Sequence, residues 1–296
     1  MKNPVFTGSS VALITPFASG APNYAALAKL IDFQLENGTS AITVCGTTGE
    51  ASAMTAKERK DVIEFSVRRI NGRVPLIAGT GCNDTSRAYQ YSMDALEAGA
   101  NAILVVTPYY NKTTQSGLIA HYTYLADRVP LPMILYNVPS RTGMTISAET
   151  YRHLSQHPNI NGVKEASGSL QLLSDILDIC GNDLHVWSGN DSDTTAFMSM
   201  GAKGVISVAA NIIPKDMSKL TSACLSGDYQ TAAEIQLRYR ALDRLLFREV
   251  NPIPVKEALN MLGFAAGSPR LPLVPFSKES KCLLHDELKT LGLIPT

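Results

Sequence analysis

The sequence has no excess of either charge, because its 26 lysines and arginines are balanced by 26 aspartates and glutamates. This balance provides no basic surface for nucleic acid or for an anionic membrane. No apolar run approaches the length needed to cross a bilayer, and residues 1–8 lack the basic and apolar regions of a secretory signal. We therefore expect a cytoplasmic protein that binds neither nucleic acid nor membranes.

Cysteine and histidine are scarce, and neither shows the spacing of a metal site. The five cysteines are an odd number without a CxxC motif, which indicates buried free thiols in a reducing compartment. His153 and His157 are four residues apart but lack the glutamate of an HExxH zinc motif. No predicted strand is followed by a GxGxxG or a Gly-Lys-Ser/Thr phosphate loop. The sequence predicts no metal and no cofactor.

Short apolar runs rich in β-branched residues recur eight times, most of them about 30 residues apart, which is the repeat length of a strand and its crossover helix. Runs that are apolar throughout suit strands covered on both faces, as in a parallel sheet. Eight such units favour an α/β fold of the TIM (β/α)8 barrel type, with a doubly wound open sheet as the alternative. The runs cover residues 11–14, 41–45, 75–78, 102–106, 133–136, 162–164, 184–187 and 204–208.

Helical patterns lie between these runs and continue beyond the last one. Residues 55–58 form a capping box that begins one helix, and residues 84–97 make another that ends at Gly99. We predict a catalytic barrel domain over residues 1–225, followed by a C-terminal helical domain over residues 226–296. After the eighth run, the helical patterns cover residues 215–225, 229–247, 253–262 and 278–291.

Lys164 lies in the sixth apolar run, where its neighbours indicate a buried strand. Burial disfavours the ammonium form of lysine, and a lysine that loses its proton near neutral pH is a nucleophilic amine able to form a Schiff base. A lysine at a strand end more commonly extends its charged head into water. The residues around Lys164 therefore decide between these two interpretations.

Other reactive side chains follow the carboxyl ends of the predicted strands, where barrel enzymes have their active sites. Residues 46–50, Gly-Thr-Thr-Gly-Glu, can form a turn whose N–H groups hold a small carboxylate. Tyr110 follows the fourth strand, Tyr136 ends the fifth, and Arg141 comes five residues later. Ordinary structural roles are also possible: residues 46–50 fit a capped turn, the two tyrosines fit the edge of the core, and Arg141 fits a solvated position. Together with Lys164 they favour Schiff-base chemistry on a 2-oxo acid.

These motifs, in their order and spacing, resemble the pyruvate-dependent class I aldolase superfamily, which includes dihydrodipicolinate synthases and N-acetylneuraminate lyases. The resemblance extends over essentially the whole chain. Residues 46–50, 109–110 and 136–143 are similar to the synthase branch, whereas the lyase branch typically has serine in place of Thr47 and lacks Arg141. The resemblance implies a lyase of diaminopimelate and lysine biosynthesis that condenses pyruvate with L-aspartate 4-semialdehyde to give 4-hydroxy-tetrahydrodipicolinate.

Catalytic roles are also implied by the resemblance. Lys164 would form an imine with pyruvate, and Tyr136 would relay protons beside it. Thr47 would connect Tyr136 to Tyr110, which in this family comes from a neighbouring subunit. The resemblance accordingly implies a homotetramer built as a dimer of dimers.

The substrate-binding roles are implied in the same way. N–H groups around Thr47 and Thr48 would hold the carboxylate of pyruvate and orient its methyl group for deprotonation. Arg141 would bind the carboxylate of the semialdehyde, for which a planar guanidinium supplies charge and orientation. Gly189 and Ile206 would line the site with backbone carbonyls.

Three other functions remain open. Another pyruvate-dependent aldolase, such as an N-acetylneuraminate or 2-keto-3-deoxy-sugar lyase, would use the same barrel and lysine, although Thr47 and Arg141 argue against it. A phosphate-binding barrel isomerase would need a Gly-rich loop after strands 7 and 8, for which Gly189 and residues 209–211 give little support. A catalytically silent 2-oxo-acid-binding protein would be expected to lack Lys164 or Tyr136. An assay with pyruvate and aspartate semialdehyde distinguishes these functions.

The resemblance further implies a pocket for feedback inhibition by lysine at a dimer interface. Asn83 and Tyr109 match that pocket, but Ala56 and Arg59 replace histidines that sensitive enzymes commonly carry, and Arg87 replaces a glutamate. Two arginines facing a ligand with two ammonium groups would repel it. We therefore expect inhibition by lysine to be weak or absent.

Overall fold

The eight predicted strands form a closed parallel barrel in the computed structural model, which describes residues 2–295. Neighbouring strands follow chain order around the barrel, and the first pairs with both the second and the eighth. The barrel predicted from the spacing of the apolar runs is therefore confirmed, and the open sheet is wrong. The strands are β1 (Gly8–Ala12), β2 (Ala41–Val44), β3 (Leu76–Gly79), β4 (Ala102–Val106), β5 (Met133–Asn137), β6 (Ile160–Glu165), β7 (His185–Ser188) and β8 (Gly204–Ser207).

Burial on both faces explains why these strands are almost continuously apolar. One face of each strand packs against the surrounding helices, and the other fills the barrel. Trp187 is the largest side chain in the interior cluster, where its ring stacks on Phe6 with centroids 5.0 Å apart. Its indole N–H donates to the carbonyl oxygen of Phe6 at 3.2 Å, so the polar atom of this buried ring is satisfied.

Helices surround the barrel, and their ends follow the caps expected from the sequence. Thr55 and Glu58 form the predicted capping box of the helix that begins at Ala56, and the Asp84 side chain accepts from two backbone N–H groups at the start of the helix that begins at Thr85. The helices of the barrel are α1 (Tyr24–Glu36), α2 (Ala56–Ile70), α3 (Thr85–Glu97), α4 (Gln115–Ala126), α5 (Pro139–Thr142), α6 (Ala148–Ser155), α7 (Leu170–Cys180), α8 (Thr194–Ser199) and α9 (Pro214–Leu225). Over residues 2–295, no helix is both long and apolar enough to span a bilayer.

The C-terminal extension is helical, as expected, but the single helix predicted over residues 229–247 is wrong. The chain turns at Tyr239, whose buried ring is held by a 2.6 Å hydrogen bond from its hydroxyl to Asp216 of α9. The side chains of Asp228 and Ser277 accept hydrogen bonds from backbone N–H groups at the starts of two of its helices. The division into domains at residue 225 stays a prediction, although α9 ends there. The extension consists of α10 (Tyr229–Arg238), α11 (Arg240–Leu246), α12 (Ile253–Met261) and α13 (Lys278–Thr290).

A buried ion pair joins the extension to the loop after β2. The Lys256 ammonium in α12 lies 2.6 Å from the Glu50 carboxylate, and both side chains are almost completely inaccessible. The other Glu50 oxygen accepts from the backbone N–H of Arg270 at 2.8 Å. Glu50 has a left-handed backbone, with φ of 54°. These contacts fix the loop of residues 46–50 at the carboxyl end of the barrel.

Candidate active site

Lys164 is buried near the carboxyl end of β6, with 5% of its surface exposed. Its neighbour in the barrel register is Tyr136 on β5, and the lysine Nζ lies 4.6 Å from the centroid of the tyrosine ring. The adjacent Glu165 carboxylate accepts hydrogen bonds from Asn137 and Tyr151, which fixes the ends of these two strands. Lys164 is therefore buried near the carboxyl end of its strand, as the sequence predicted.

Most of the predicted site residues meet Lys164 around one cavity of about 550 Å³. The loop after β2 brings two threonines, the end of β5 and the loop after it bring a tyrosine and an arginine, and the loop after β7 brings a glycine. A cavity of this size accommodates two small organic acids. The predicted site residues that line it are Thr47, Thr48, Tyr136, Arg141, Lys164 and Gly189.

Two predicted site residues do not line this cavity. Tyr110 is 93% exposed and points away from its own chain, with a left-handed backbone φ of 67°. Ile206 on β8 is completely buried and packs inside the barrel with Trp187. A role for Tyr110 in catalysis therefore needs a second subunit, because its ring is not part of the cavity that contains Lys164.

The loop of residues 46–50 has the free N–H groups that carboxylate binding requires. Among the hydrogen bonds of residues 2–295, the amides of Thr47 and Thr48 donate to no protein acceptor. Gly49 suits the tight turn, because a Cβ there would lie only 3.1 Å from the Cys45 nitrogen and 3.2 Å from the Leu13 oxygen. Unpaired amides at the mouth of a cavity form a site for a small anion.

Asn251 contributes to the site although no sequence pattern indicates it. Its amide Nδ2 donates to the Thr48 hydroxyl at 2.9 Å, and its backbone oxygen accepts from the Arg141 guanidinium at 3.3 Å. It lines the same cavity as Lys164, but it follows α11 in the C-terminal extension. The only signal in the sequence is its position before Pro252, which by itself is typical of any turn.

Two buried carboxyl groups lie behind the wall of the cavity. Asp191 accepts from the backbone N–H groups of Val208 and Ala209 at 3.0 and 2.9 Å, and it lines a second cavity together with Asp243 of α11. Burial raises the pKa of Asp191, opposed by its hydrogen bonds and by the charge of Lys164. Burial, reinforced by the charge of Asp191, raises the pKa of Asp243 to about 8. The carboxyl of Asp243 is therefore mostly protonated at neutral pH.

A further cavity of about 340 Å³ is also lined by Tyr136, and it contains two of the five residues compared with the lysine pocket. Arg59 and Tyr109 line it, and the Arg59 guanidinium stacks on Tyr91 and donates to the Gly79 oxygen at 2.8 Å. Arg87 is exposed beside Asp84 and does not line this cavity in the single chain. Two arginines at a pocket between subunits stay a prediction.

No group of three or more histidine, cysteine, aspartate or glutamate side chains suited to a metal ion occurs within residues 2–295. The five cysteines carry free thiols, and four of them are buried. The polar groups around Lys164 are an amine, hydroxyls, amides and a guanidinium. These are groups for binding and protonating a carbonyl compound directly.

The barrel and this site define an enzyme of the class I aldolase type, with a buried lysine at the mouth of a (β/α)8 barrel. Comparison with known proteins identifies the family. The model of the dihydrodipicolinate synthetase family matches residues 5–291. The chain belongs to the dihydrodipicolinate synthetase family.

Individual relatives match along almost their whole length. The 4-hydroxy-tetrahydrodipicolinate synthase of Thermoanaerobacter sp. (strain X514) is 49% identical over 292 residues, which are 98% of each chain. The crystal structure of dihydrodipicolinate synthase from Aquifex aeolicus has a TM-score of 0.96 and 47% identity, covering 97% of this chain and 99% of that one.

A third relative was solved with a ligand. The chloride-inhibited synthase from Acinetobacter baumannii, complexed with pyruvate, has a TM-score of 0.95 and 42% identity, covering 97% of this chain and 99% of that one.

The predicted family, the barrel with its helical extension and a Schiff-base-forming lyase of lysine biosynthesis are confirmed. The roles of individual site residues stay predictions.

Proposed function

We propose that Lys164 and the residues around its cavity catalyse the condensation of pyruvate with L-aspartate 4-semialdehyde, giving 4-hydroxy-tetrahydrodipicolinate. The observation that carries this proposal is the buried lysine beside Tyr136, with the free amides of Thr47 and Thr48 and the guanidinium of Arg141 around the same cavity. Sites for an amine nucleophile and for two separate carboxylates suit two substrates that each carry one carboxylate. The pyruvate complex of the Acinetobacter baumannii relative supports the first substrate.

In the first step the neutral amine of Lys164 attacks C2 of pyruvate. A C–N bond forms, and the carbonyl oxygen leaves as water once it has received protons, so that an imine remains. The free amides of Thr47 and Thr48 hold the pyruvate carboxylate and thereby fix the direction of attack. Tyr136, whose ring lies against the lysine, relays the protons.

In the second step the imine loses a proton from its methyl carbon and becomes an enamine. This carbon then forms a bond to the aldehyde carbon of the second substrate, while the aldehyde oxygen takes up a proton. Arg141 holds the carboxylate of the aldehyde. The amine of that substrate finally displaces Lys164 from C2, which closes the ring and releases the free lysine.

The proposal includes a second subunit. Tyr110 is almost completely exposed and absent from the cavity of its own chain, so we propose that it completes the proton relay of a neighbouring chain through Thr47. A homotetramer built as a dimer of dimers and a cytoplasmic location are further parts of the proposal. The free thiols of the five cysteines are consistent with a reducing compartment.

Reductive trapping tests the proposal. Borohydride in the presence of pyruvate should add one pyruvate-derived mass per subunit, on the peptide that contains Lys164. Lys256 is an internal control, because it is also almost fully buried but is paired with Glu50. Lys164→Ala should lose the adduct and nearly all activity while keeping its fold. An adduct on another lysine, or none, would refute the assignment.

Subunit mixing tests the role of Tyr110. Inactive Lys164→Ala and Tyr110→Phe chains are combined under conditions in which subunits exchange. If Tyr110 serves the neighbouring chain, some mixed dimers contain one site with both residues intact, and activity returns. Exchange without recovered activity would place Tyr110 in its own chain's mechanism instead.

A further inference from the structure

The side chain of Asn137 joins the two ends of the loop that carries Arg141. Asn137 ends β5, and its Oδ1 accepts from the backbone N–H of Ile146, nine positions later, at 3.2 Å. Its Nδ2 donates to the hydroxyl of Thr145 at 3.1 Å. Arg141 lies within the segment that these two bonds close.

The loop between these ends is bonded within itself. Its residues 139–142 form α5, and the backbone N–H of Gly143 donates to the Pro139 oxygen at 2.8 Å. Within residues 2–295, the Arg141 guanidinium has one acceptor, the backbone oxygen of Asn251 at 3.3 Å. A segment bonded in this way moves as a unit, so its two ends decide where the guanidinium lies.

Glu165 on β6 fixes the orientation of the Asn137 amide. Both carboxylate oxygens accept from Asn137 Nδ2, at 3.1 and 2.9 Å, and the hydroxyl of Tyr151 donates to one of them at 3.0 Å. An N–H group can only donate, so Nδ2 faces the carboxylate and Oδ1 faces the amide of Ile146. Asn137 and Glu165 are completely buried, so water does not replace these bonds.

A second contact with the same loop is exposed. The Nδ2 group of Asn137 is matched on the outside by the Nε2 group of Gln115, which donates to the Thr145 backbone oxygen at 2.9 Å. Water can replace an exposed hydrogen bond at little cost. The buried amide of Asn137 is therefore the stronger anchor of this loop.

We propose that Asn137, oriented by Glu165, is a positioning residue that holds Arg141 in place for the carboxylate of the aldehyde substrate. Asn137 does not line the cavity of Lys164, so it acts through Arg141 and not on the substrate itself. This assignment rests on the proposed condensation and specifies what places the group that binds its second substrate.

Asn137→Leu tests the assignment, because it removes both bonds to the loop without changing the charge. The KM of aspartate semialdehyde should rise about tenfold, as for a weakened hydrogen bond between charged groups. The pyruvate concentration that half-saturates borohydride trapping on Lys164 should change by no more than about twofold. An unchanged KM, or equal changes for the two substrates, would overturn the proposal.

A cycle with Arg141→Ala shows whether the effect passes through Arg141. In the Arg141→Ala background, adding Asn137→Leu should change the KM of aspartate semialdehyde by no more than about twofold, since the group that it positions is already absent. A tenfold rise in both backgrounds would refute the assignment.

Asn211→Leu is the matched control for the loss of a buried amide. Asn211 is also completely buried, where its Oδ1 accepts from the Ile14 N–H at 3.2 Å and its Nδ2 donates to the Ala12 oxygen at 2.8 Å. Neither bond reaches the Arg141 loop. This variant should lower the Tm without a selective rise in the KM of the aldehyde, and such a rise would count against the proposal.

A swapped pair keeps the test decisive if Asn137→Leu does not fold. Asn137→Asp places two carboxylates face to face, whereas Asn137→Asp with Glu165→Gln restores one carboxylate and one amide with their roles reversed. The new carboxylate still accepts from the Ile146 N–H. The KM of aspartate semialdehyde should rise in Asn137→Asp and return to within about threefold in the swapped pair. A swapped pair as weak as Asn137→Asp would overturn the proposal.

Borohydride trapping with pyruvate separates the two levels of the argument. If the unsubstituted protein forms no adduct on Lys164, the proposed condensation fails, and the assignment of Asn137 fails with it. If the adduct forms but Asn137→Leu does not weaken the aldehyde selectively, only the assignment of Asn137 is wrong.

Discussion

The buried pair of Glu50 and Lys256 allows a sharp test of how the extension holds the active-site loop. Lys256→Met removes the ammonium and leaves the Glu50 carboxylate buried without its counter-charge. Removing one partner of a buried ion pair typically costs about 3–5 kcal/mol. For a chain of 296 residues, whose entropy of unfolding is about 0.6 kcal/mol/K, this lowers the Tm by roughly 5–8 °C.

The relative Tm values of Lys256→Met, Glu50→Gln and their double variant distinguish the cost of burying a charge from the loss of charge pairing. Glu50→Gln should destabilise less than Lys256→Met, because burial already lowers the pKa of Lys256 and the lysine can release its proton. The Tm of the double variant Glu50→Gln/Lys256→Met should be closer to that of the unsubstituted protein than the Tm of Lys256→Met is, since no uncompensated charge remains.

A matched control comes from the surface. Lys57→Met breaks a pair with Asp61 that has the same 2.6 Å separation, but Lys57 is 82% exposed. This variant should leave the Tm close to that of the unsubstituted protein. All midpoints are compared at one scan rate and one subunit concentration, because unfolding of an oligomer depends on both. Equal shifts for Lys57→Met and Lys256→Met would refute the reasoning.

Three further predictions concern charge in and around the site. The raised pKa of Asp243, about 8 against an ordinary value near 3.9, means that the folded state binds an extra proton between these pH values, so stability falls as pH rises through this range. Asp243→Asn should therefore have the same Tm as the unsubstituted protein near pH 4 and a higher Tm at pH 8, where its free energy of unfolding should be greater by at most about 5 kcal/mol. A constant difference in Tm between the two proteins over this pH range would contradict the assignment. Arg141→Ala should lower kcat/KM for aspartate semialdehyde by roughly one to two orders of magnitude and spare imine formation with pyruvate, and equal damage to both steps would show that Arg141 has another role. L-Lysine should inhibit weakly, because Arg59 lines the cavity beside Tyr109; half-inhibition below about 1 mM, an affinity of roughly 4 kcal/mol, would disprove this.

The sequence by itself was sufficient to predict the barrel and to bring most of the predicted site residues to one cavity. Strands that are covered on both faces must be apolar throughout, so eight runs at regular spacing predicted eight strands and their parallel order. Caps are equally local, which is why the capping box of Thr55 and Glu58 was predicted correctly at the start of α2. In a parallel barrel all carboxyl ends meet at one mouth, so residues that follow different strands converge there without any long-range information.

Convergence at the mouth explains why most of the predicted site residues share one cavity. Thr47, Tyr136, Arg141 and Lys164 lie at strand ends or just after them, and they share one cavity. Tyr110 also follows a strand, but its left-handed backbone turns the ring outward. That reversal depends on the course of one loop, which a strand pattern does not specify.

Only the tertiary structure shows what the C-terminal extension does. Lys256 and Asn251 look like ordinary helix and turn residues, yet they contact Glu50 and Thr48 more than 200 positions earlier in the chain. Asp243 and Asp191 likewise approach each other only because α11 packs over the loop after β7. The hydrophobic periodicity of an element shows which of its faces is buried, but it does not show which other element that face contacts. Pairing between distant elements is decided by packing, and packing exists only once the chain has folded.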